Sequence, residues 1–115
     1  MILILGGLSS GKRTYVRNIL GYAERALSRE ISDACPVVYD VQDLVSRDPK
    51  KSLALLEPLC KKEVVIVNEV GSGLIPMNAA DRAAREATGR LTILLAERAE
   101  KVVRMVAGLP SVIKG

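Results

Sequence analysis

Short runs of consecutive apolar residues alternate along the chain with longer segments in which apolar residues recur at helical spacing. Unbroken apolar runs are typical of strands that are buried on both faces of a parallel sheet. They predict strands at residues 1–5, 37–39 and 64–67. Residues 102–107, a run interrupted by Arg104, and the short segment 111–114 are predicted as two further strands. The helical spacing predicts helices at residues 12–27, 52–61 and 78–99. We therefore predict one three-layer α/β domain over residues 1–115, with a mostly parallel sheet, helices on both faces and a short antiparallel C-terminal strand.

A glycine-rich segment, GGLSSGK at residues 6–12, joins the first predicted strand to the first predicted helix. Its spacing matches the G-x-x-x-x-G-K pattern, in which backbone N–H groups, a helix N-terminus and a lysine surround phosphate oxygens. That pattern continues with a Ser or Thr that binds Mg²⁺, whereas this chain has Arg13. The neighbouring Thr14 cannot simply replace it, because one residue turns a side chain by about 100° around a helix. The predicted nucleotide-binding residues are Gly6, Gly7, Ser9, Ser10, Gly11, Lys12, Arg13 and Thr14.

Polar residues also follow the second and third predicted strands. Asp40 follows the second strand, and Asn68 and Glu69 follow the third, with Gly71 two residues further on. The carboxyl ends of parallel strands share one edge of the sheet, where ligands bind, so we expect these residues to gather beside the glycine-rich turn. We take Lys12 and Glu69 as candidate catalytic residues, and Asp40, Asn68 and Gly71 as candidates to orient substrate or metal.

Each candidate also has a structural interpretation. The turn could serve only to connect a strand with a helix, and Lys12 could be a solvated lysine. Arg13 could contact phosphate, lie on the surface, or meet acidic residues across a subunit contact. Asp40 and Glu69 could hold Mg²⁺; alternatively, Asp40 could cap the next turn and Glu69 could accept a proton from a substrate hydroxyl.

Composition narrows the choice of ligand. The net charge of +4 is spread along the chain between acidic residues, and there are three Tyr but no Phe or Trp. This favours a small anionic ligand over nucleic acid, because the charge forms no basic patch and no Phe or Trp is available to stack on bases, as such side chains do in single-stranded nucleic-acid sites. Cys35 and Cys60 stand alone and there is no His, which predicts a reduced, cytoplasmic protein without a zinc site. No apolar run is long enough to span a membrane.

A second motif, VVIVNEVGSGLIP at residues 64–76, makes the pattern more specific. Together with the glycine-rich turn, it resembles the adenosylcobinamide kinase/adenosylcobinamide-phosphate guanylyltransferase family of cobalamin biosynthesis. That family pairs a G-G-x-x-S-G-K loop with a strand followed by N-E-V-G-x-G-[IL]-[IV]-P. Residues 81–91 resemble its arginine-bearing helix, and residues 103–114 its closing strand, glycine turn and last strand. The resemblance covers residues 1–25 and 62–115.

The resemblance implies a P-loop NTPase-like fold, a homotrimer, and two activities. The family phosphorylates a corrinoid side-chain hydroxyl with GTP or ATP, then transfers GMP to that phosphate through a guanylylated histidine. This chain departs from the pattern at Arg13, is shorter between residues 26 and 62, and has no histidine to carry GMP. We therefore expect a nucleotide-dependent adenosylcobinamide kinase without the histidine route. A non-catalytic nucleotide-binding or partner subunit, and a kinase of another small hydroxyl substrate, remain as alternatives.

Overall fold

The computed structural model describes residues 1–69 and 78–115. The strands are β1 (Ile2–Gly6), β2 (Leu27–Ser28), β3 (Val37–Val38), β4 (Val64–Asn68), β5 (Lys101–Val106) and β6 (Leu109–Lys114). The α-helices are α1 (Lys12–Asn18), α2 (Val41–Arg47), α3 (Leu56–Cys60) and α4 (Ala79–Arg98). Two 3₁₀ helices span Glu24–Ala26 and Pro49–Leu55. In this part of the chain, no helix is long and apolar enough to cross a membrane.

The strands form a single sheet in the order β2-β3-β4-β1-β5-β6. All neighbouring strands are parallel except β5 and β6, which are antiparallel. The predicted fold class is therefore confirmed, including the antiparallel C-terminal strand. The register places Gly6, at the end of β1, between Asn68 of β4 and Met105 of β5. The glycine-rich turn thus leaves the centre of the sheet, with strand ends on both sides.

Side chains of the central strands alternate between two buried clusters, one on each face of the sheet. On one face, Leu3 of β1 joins residues of α2 and α4; on the other, Ile4 joins Tyr15 and Val16 of α1. The same alternation occurs in β4, as expected from the two-residue period of a strand. Helices therefore cover both faces of the sheet, and the glycine-rich turn follows a strand that is buried between them.

The first helix is much shorter than predicted. We expected a helix over residues 12–27, but α1 ends at Asn18. Gly21, two residues after the C-cap Ile19, adopts a left-handed conformation with φ 83°, and the N–H of Tyr22 donates to the carbonyl of Val16. The chain therefore turns away from the helix axis at this glycine. The apolar Leu27, which extended the helical pattern, instead pairs with Val37 in β2 and β3.

The segment after β3 contains a helix that the sequence analysis missed. Val41, Leu44 and Val45 have helical spacing, and α2 buries Val41 and Val45 against the sheet. Further on, the predicted helix at residues 52–61 is confirmed only in its second half. Pro49–Leu55 is a 3₁₀ helix, and α3 begins at Leu56.

The longest helix and the C-terminal hairpin agree closely with the prediction. Asn78 caps α4 by accepting a hydrogen bond from the N–H of Asp81 at 2.8 Å. Between β5 and β6, Ala107 and Gly108 both have positive φ, which is the geometry of a tight two-residue hairpin turn.

Candidate functional site

The glycine-rich turn is shaped by close contacts that admit no side chain at its first position. A Cβ on Gly6 would overlap the hydroxyl oxygen of Ser10 and would lie 2.8 Å from the carbonyl oxygen of Met105. Gly11, at the start of α1, has φ 93°, a conformation that glycine adopts without strain. A Cβ on Gly7, by contrast, would meet nothing within 4 Å. The turn therefore packs tightly against β5 at Gly6 and opens outward at Gly7.

Lys12 is held inside this turn. Only 7% of the residue is exposed, and its ammonium donates hydrogen bonds to the carbonyl of Gly7 at 2.5 Å and to the hydroxyl of Ser10 at 3.3 Å. Burial lowers the pKa of Lys12, while the nearby carboxylates of Asp40 and Glu69 partly offset that shift. A partly desolvated cation whose partners are neutral oxygens is well placed to meet an anion.

The end of β4 lies beside the turn. The backbone N–H of Glu69 donates to the carbonyl of Gly6 at 2.8 Å, which continues the strand pairing past Asn68. The backbone N–H of Asn68 donates to Oε1 of Gln42 in α2 at 3.0 Å. These bonds connect the ends of β1 and β4 to each other and to α2.

Asp40 connects the end of β3 to α2. It has a left-handed backbone, with φ 54°, and its side chain makes no capping bond to the helix. Instead, one carboxylate oxygen lies 3.5 Å from Nε of Arg29, and the other accepts a bond of 3.4 Å from the side-chain amide of Gln42. Both oxygens of Asp40 therefore have partners within the protein.

A tyrosine beside Asp40 is contacted by two arginines. The guanidinium of Arg13 lies 5.0 Å from the centre of the Tyr39 ring, and that of Arg29 lies 5.6 Å from it. Both distances are within the range of a cation–π contact. Arg13 thus lies beside residues from the end of β3 and the segment after β2, which brings three distant parts of the chain together.

Glu69 is held by an arginine on the other side of β1. The guanidinium of Arg104 in β5 donates to both carboxylate oxygens of Glu69, at 2.7 and 3.0 Å. This bidentate pair spans the end of β1 and raises the pKa of Arg104. The charge of the Glu69 carboxylate is therefore already partly compensated by Arg104.

A cavity of about 400 Å³ opens between the turn, Asp40 and Asn68. The residues that line it are Leu8, Ser9, Ser10, Gly11, Lys12, Arg13, Thr14, Arg29, Asp40 and Asn68. The structure thus brings together most of the residues that the sequence analysis singled out. Gly6, Gly7 and Glu69 are not among the residues that line the cavity, and Gly71 lies outside the described residues.

Both acidic groups that could bind a divalent metal ion already have arginine partners. Arg29 engages Asp40, and Arg104 engages Glu69, so a metal would share either carboxylate with a guanidinium. Arg13 occupies the position at which the motif supplies a hydroxyl ligand. Within residues 1–69 and 78–115, no group of three or more His, Cys, Asp or Glu side chains could hold a metal ion.

Three residues of this region escaped the sequence analysis. Arg29 and Gln42 lie in segments without a recognisable motif, and Arg104 lies within an apolar strand. The only signal for Arg104 was the interruption of the run Val102–Val106 by a charged residue. Such a residue in a strand is often a surface arginine, and nothing local pointed to Glu69, 35 positions away.

Comparison with known families matches residues 24–113 to the family described as "Cobinamide kinase / cobinamide phosphate guanyltransferase". No curated protein matches the chain. The match begins after the glycine-rich turn and includes residues 26–61, which the resemblance noted above left out. Because it spans most of the 115 residues, the chain belongs to this family. At the level of the family, this means a nucleotide-binding transferase of cobalamin biosynthesis that uses a nucleoside triphosphate.

Proposed function

We propose that this member of the cobinamide kinase / cobinamide phosphate guanyltransferase family is a kinase that transfers the γ-phosphate of GTP or ATP to the side-chain hydroxyl of adenosylcobinamide. The observation that carries the proposal is the buried ammonium of Lys12 at the edge of a cavity formed by the glycine-rich turn. Lys12 would leave the carbonyl of Gly7 and donate to the phosphates instead. There it would offset the charge that develops during transfer.

In this mechanism, the hydroxyl oxygen of the corrinoid attacks the γ-phosphorus, and the bond from that phosphorus to the β–γ bridging oxygen breaks. The nucleoside diphosphate leaves with the electron pair, and the hydroxyl proton is released to a base. Glu69 is our candidate for this base: its carboxylate would accept a hydrogen bond from the corrinoid hydroxyl and then take its proton. Each carboxylate oxygen has two lone pairs, so a hydroxyl can bond to Glu69 while Arg104 remains in place.

The nucleotide is proposed to lie along Ser9, Ser10, Gly11 and Thr14, which line the cavity together with Lys12. Asp40 and Asn68 would orient the substrates from the opposite wall. The 115 residues offer no histidine for covalent transfer of GMP, so we restrict the proposal to the kinase step.

A non-catalytic nucleotide-binding subunit is the second candidate. It is favoured by the engagement of both carboxylates, because Asp40 and Glu69 are already paired with arginines. Such a protein would bind nucleotide in the same cavity and would not turn it over. Binding and catalysis must therefore be measured separately.

The test is an assay of purified protein with GTP or ATP and adenosylcobinamide, followed by chromatography of the corrinoid and nucleotide products. The account predicts adenosylcobinamide phosphate and nucleoside diphosphate in equal amounts. Glu69→Gln is expected to reduce kcat by about 100-fold. The matched control is Glu57→Gln, because Glu57 forms a similar bidentate pair with Arg98 at an exposed position.

Each outcome separates the candidates. Nucleotide binding without phosphate transfer would reject the kinase and favour the non-catalytic subunit. Transfer to other small hydroxyl compounds, with none to the corrinoid, would instead favour a kinase of a different substrate. An equal loss of activity in Glu57→Gln and Glu69→Gln would remove the assigned role of Glu69.

A homo-oligomer, trimeric by analogy with the family, is also part of the proposal. It is supported by β6, which lies at the end of the strand order and exposes Leu109, Val112 and Ile113. Large exposed apolar side chains on an edge strand are typical of contact surfaces. Light scattering of the purified protein should give three times the monomer mass, and a monomer would contradict this part of the proposal.

A further inference from the structure

The cavity beside the glycine-rich turn carries an excess of positive charge. Lys12, Arg13 and Arg29 line it, whereas Asp40 is the one acidic residue in its described wall. Two of the three cations, Arg13 and Arg29, have exposed side chains that reach the cavity from α1 and from the residue after β2. A nucleoside triphosphate carries several negative charges, so the charge of the cavity and that of the ligand are complementary.

The two arginines both contact other side chains of the site. Both guanidinium groups contact the ring of Tyr39, and Arg29 also pairs with Asp40. These contacts offset the repulsion between like charges and reduce the freedom of two long side chains. Positive groups that are already ordered lose less entropy when an anion binds. A guanidinium can also donate two parallel hydrogen bonds to a phosphate.

Arg13 is also the residue that replaces the metal-binding hydroxyl of the motif, and the nearby carboxylates are engaged by arginines. At this location, the carboxylates are already paired with arginines, and two guanidinium groups line the cavity. A divalent ion would approach Arg13 and Arg29 against their charge.

We propose that Arg13 and Arg29 supply the positive charge that a divalent cation supplies in related phosphate sites, so that the cavity binds the free triphosphate rather than its Mg²⁺ complex. This inference rests on the proposed function, since it concerns the same nucleotide site. It adds Arg29 to the site and specifies the chemical form of the ligand. Tyr39 is the positioning residue that holds both arginines.

The experiment is a calorimetric titration of GTP into the purified protein, once with excess EDTA and once with excess MgCl₂. In EDTA, the wild-type protein is expected to bind GTP more tightly than in MgCl₂. Arg29→Gln and Arg13→Gln are each expected to weaken binding in EDTA by about 10-fold to 100-fold, because each removes a charge-assisted contact. Arg13→Ser, which restores the hydroxyl, should make the binding tighter with Mg²⁺ than without it.

Arg25→Gln is the matched control. Arg25 is exposed, lies four positions before Arg29, and is not in the wall of the cavity. Its substitution removes the same charge and should leave the affinity within about twofold of the wild type. The thermal unfolding of each variant, measured alongside, should match that of the wild type, because all three side chains are exposed.

Three results would overturn the inference. GTP binding that is no tighter in EDTA than in MgCl₂ would show that the site accepts the Mg²⁺ complex, and would leave the nucleotide site itself in place. An unchanged affinity of Arg29→Gln in EDTA, or an equal loss in Arg25→Gln, would remove Arg29 from the site. The absence of GTP binding in both buffers would refute the proposed function together with this inference.

Discussion

Replacing Gly6 with alanine tests whether the turn needs its tight packing. The new Cβ would overlap the hydroxyl of Ser10 and would come within 2.8 Å of the carbonyl oxygen of Met105. The serine can rotate, but the carbonyl belongs to the backbone of β5 and cannot move without disturbing the strand. The same serine also accepts a hydrogen bond from Lys12, so the shift would reach the ammonium.

Overpacking of this kind costs about 1–3 kcal/mol of folding free energy. For a chain of this size, that corresponds to a decrease in Tm of about 4–12 °C. Gly7→Ala is the matched control, since a Cβ there meets nothing within 4 Å. We expect it to change stability by less than about 0.5 kcal/mol. Stability is measured by denaturant unfolding and by thermal scans of all variants under the same conditions.

A double substitution separates the effects of these two contacts on stability. Gly6→Ala combined with Ser10→Ala removes the overlap with the hydroxyl and leaves the approach to the carbonyl of Met105. It should therefore recover only part of the lost stability. If Gly6→Ala and Gly7→Ala prove equally stable, the argument from packing beneath the turn is wrong.

Two further predictions concern single hydrogen bonds elsewhere in the fold. The hydrogen bond to Glu63 raises the pKa of Tyr22 from 10.0 to about 12, so its stabilisation is present below pH 10 and is lost as the pH rises toward 12. Urea unfolding at several alkaline pH values should show this loss in the wild type and a smaller one in Tyr22→Phe; identical pH profiles would refute the assignment. Asn78→Ala removes the cap that accepts the N–H of Asp81 and should cost about 1 kcal/mol in urea unfolding, whereas Asn78→Asp should keep most of the stability. Equal stabilities of the wild type and Asn78→Ala would show that the cap does not contribute.

Much of the fold could be predicted because its signals are local. Runs such as Val64–Val67 are apolar on both faces, and only a strand between two helical layers buries both. The cap at Asn78 and the turn at Gly108 also depend on neighbouring residues alone. The helix after Asp40 was missed because only three apolar residues, Val41, Leu44 and Val45, show its helical spacing.

The length of α1 was harder to predict, because the helical spacing of its apolar residues continues into residues that form a 3₁₀ helix and a strand. Ala23, Ala26 and Leu27 continue the helical spacing of α1, yet Ala23 is the N-cap of the first 3₁₀ helix, Ala26 is its last residue, and Leu27 lies in β2. Leu27 forms a strand because it pairs with Val37, and this contact exists only in the folded sheet. Local spacing cannot distinguish these outcomes, whereas Gly21 was a usable sign of a helix end.

The candidate site, like the fold, could be predicted where its signals are local and could not be predicted where they depend on distant residues. The glycine-rich turn and the strand-end residues were visible as motifs, and their convergence followed from the topology of a parallel sheet. The partners that set their chemistry were not visible. Arg29 and Asp40 are 11 positions apart in the sequence, and Arg104 and Glu69 are 35 apart. Neither pair has a sequence pattern of its own.

The most direct test of the account is the affinity of the turn for nucleotide phosphates. GTP should be titrated into the wild type and Lys12→Met, with Lys51→Met as a control at an exposed lysine outside the cavity. The account predicts binding by the wild type and the control, and an affinity about 10-fold to 100-fold weaker in Lys12→Met, whose charged contact is lost. Equal affinities of Lys12→Met and the wild type would contradict it.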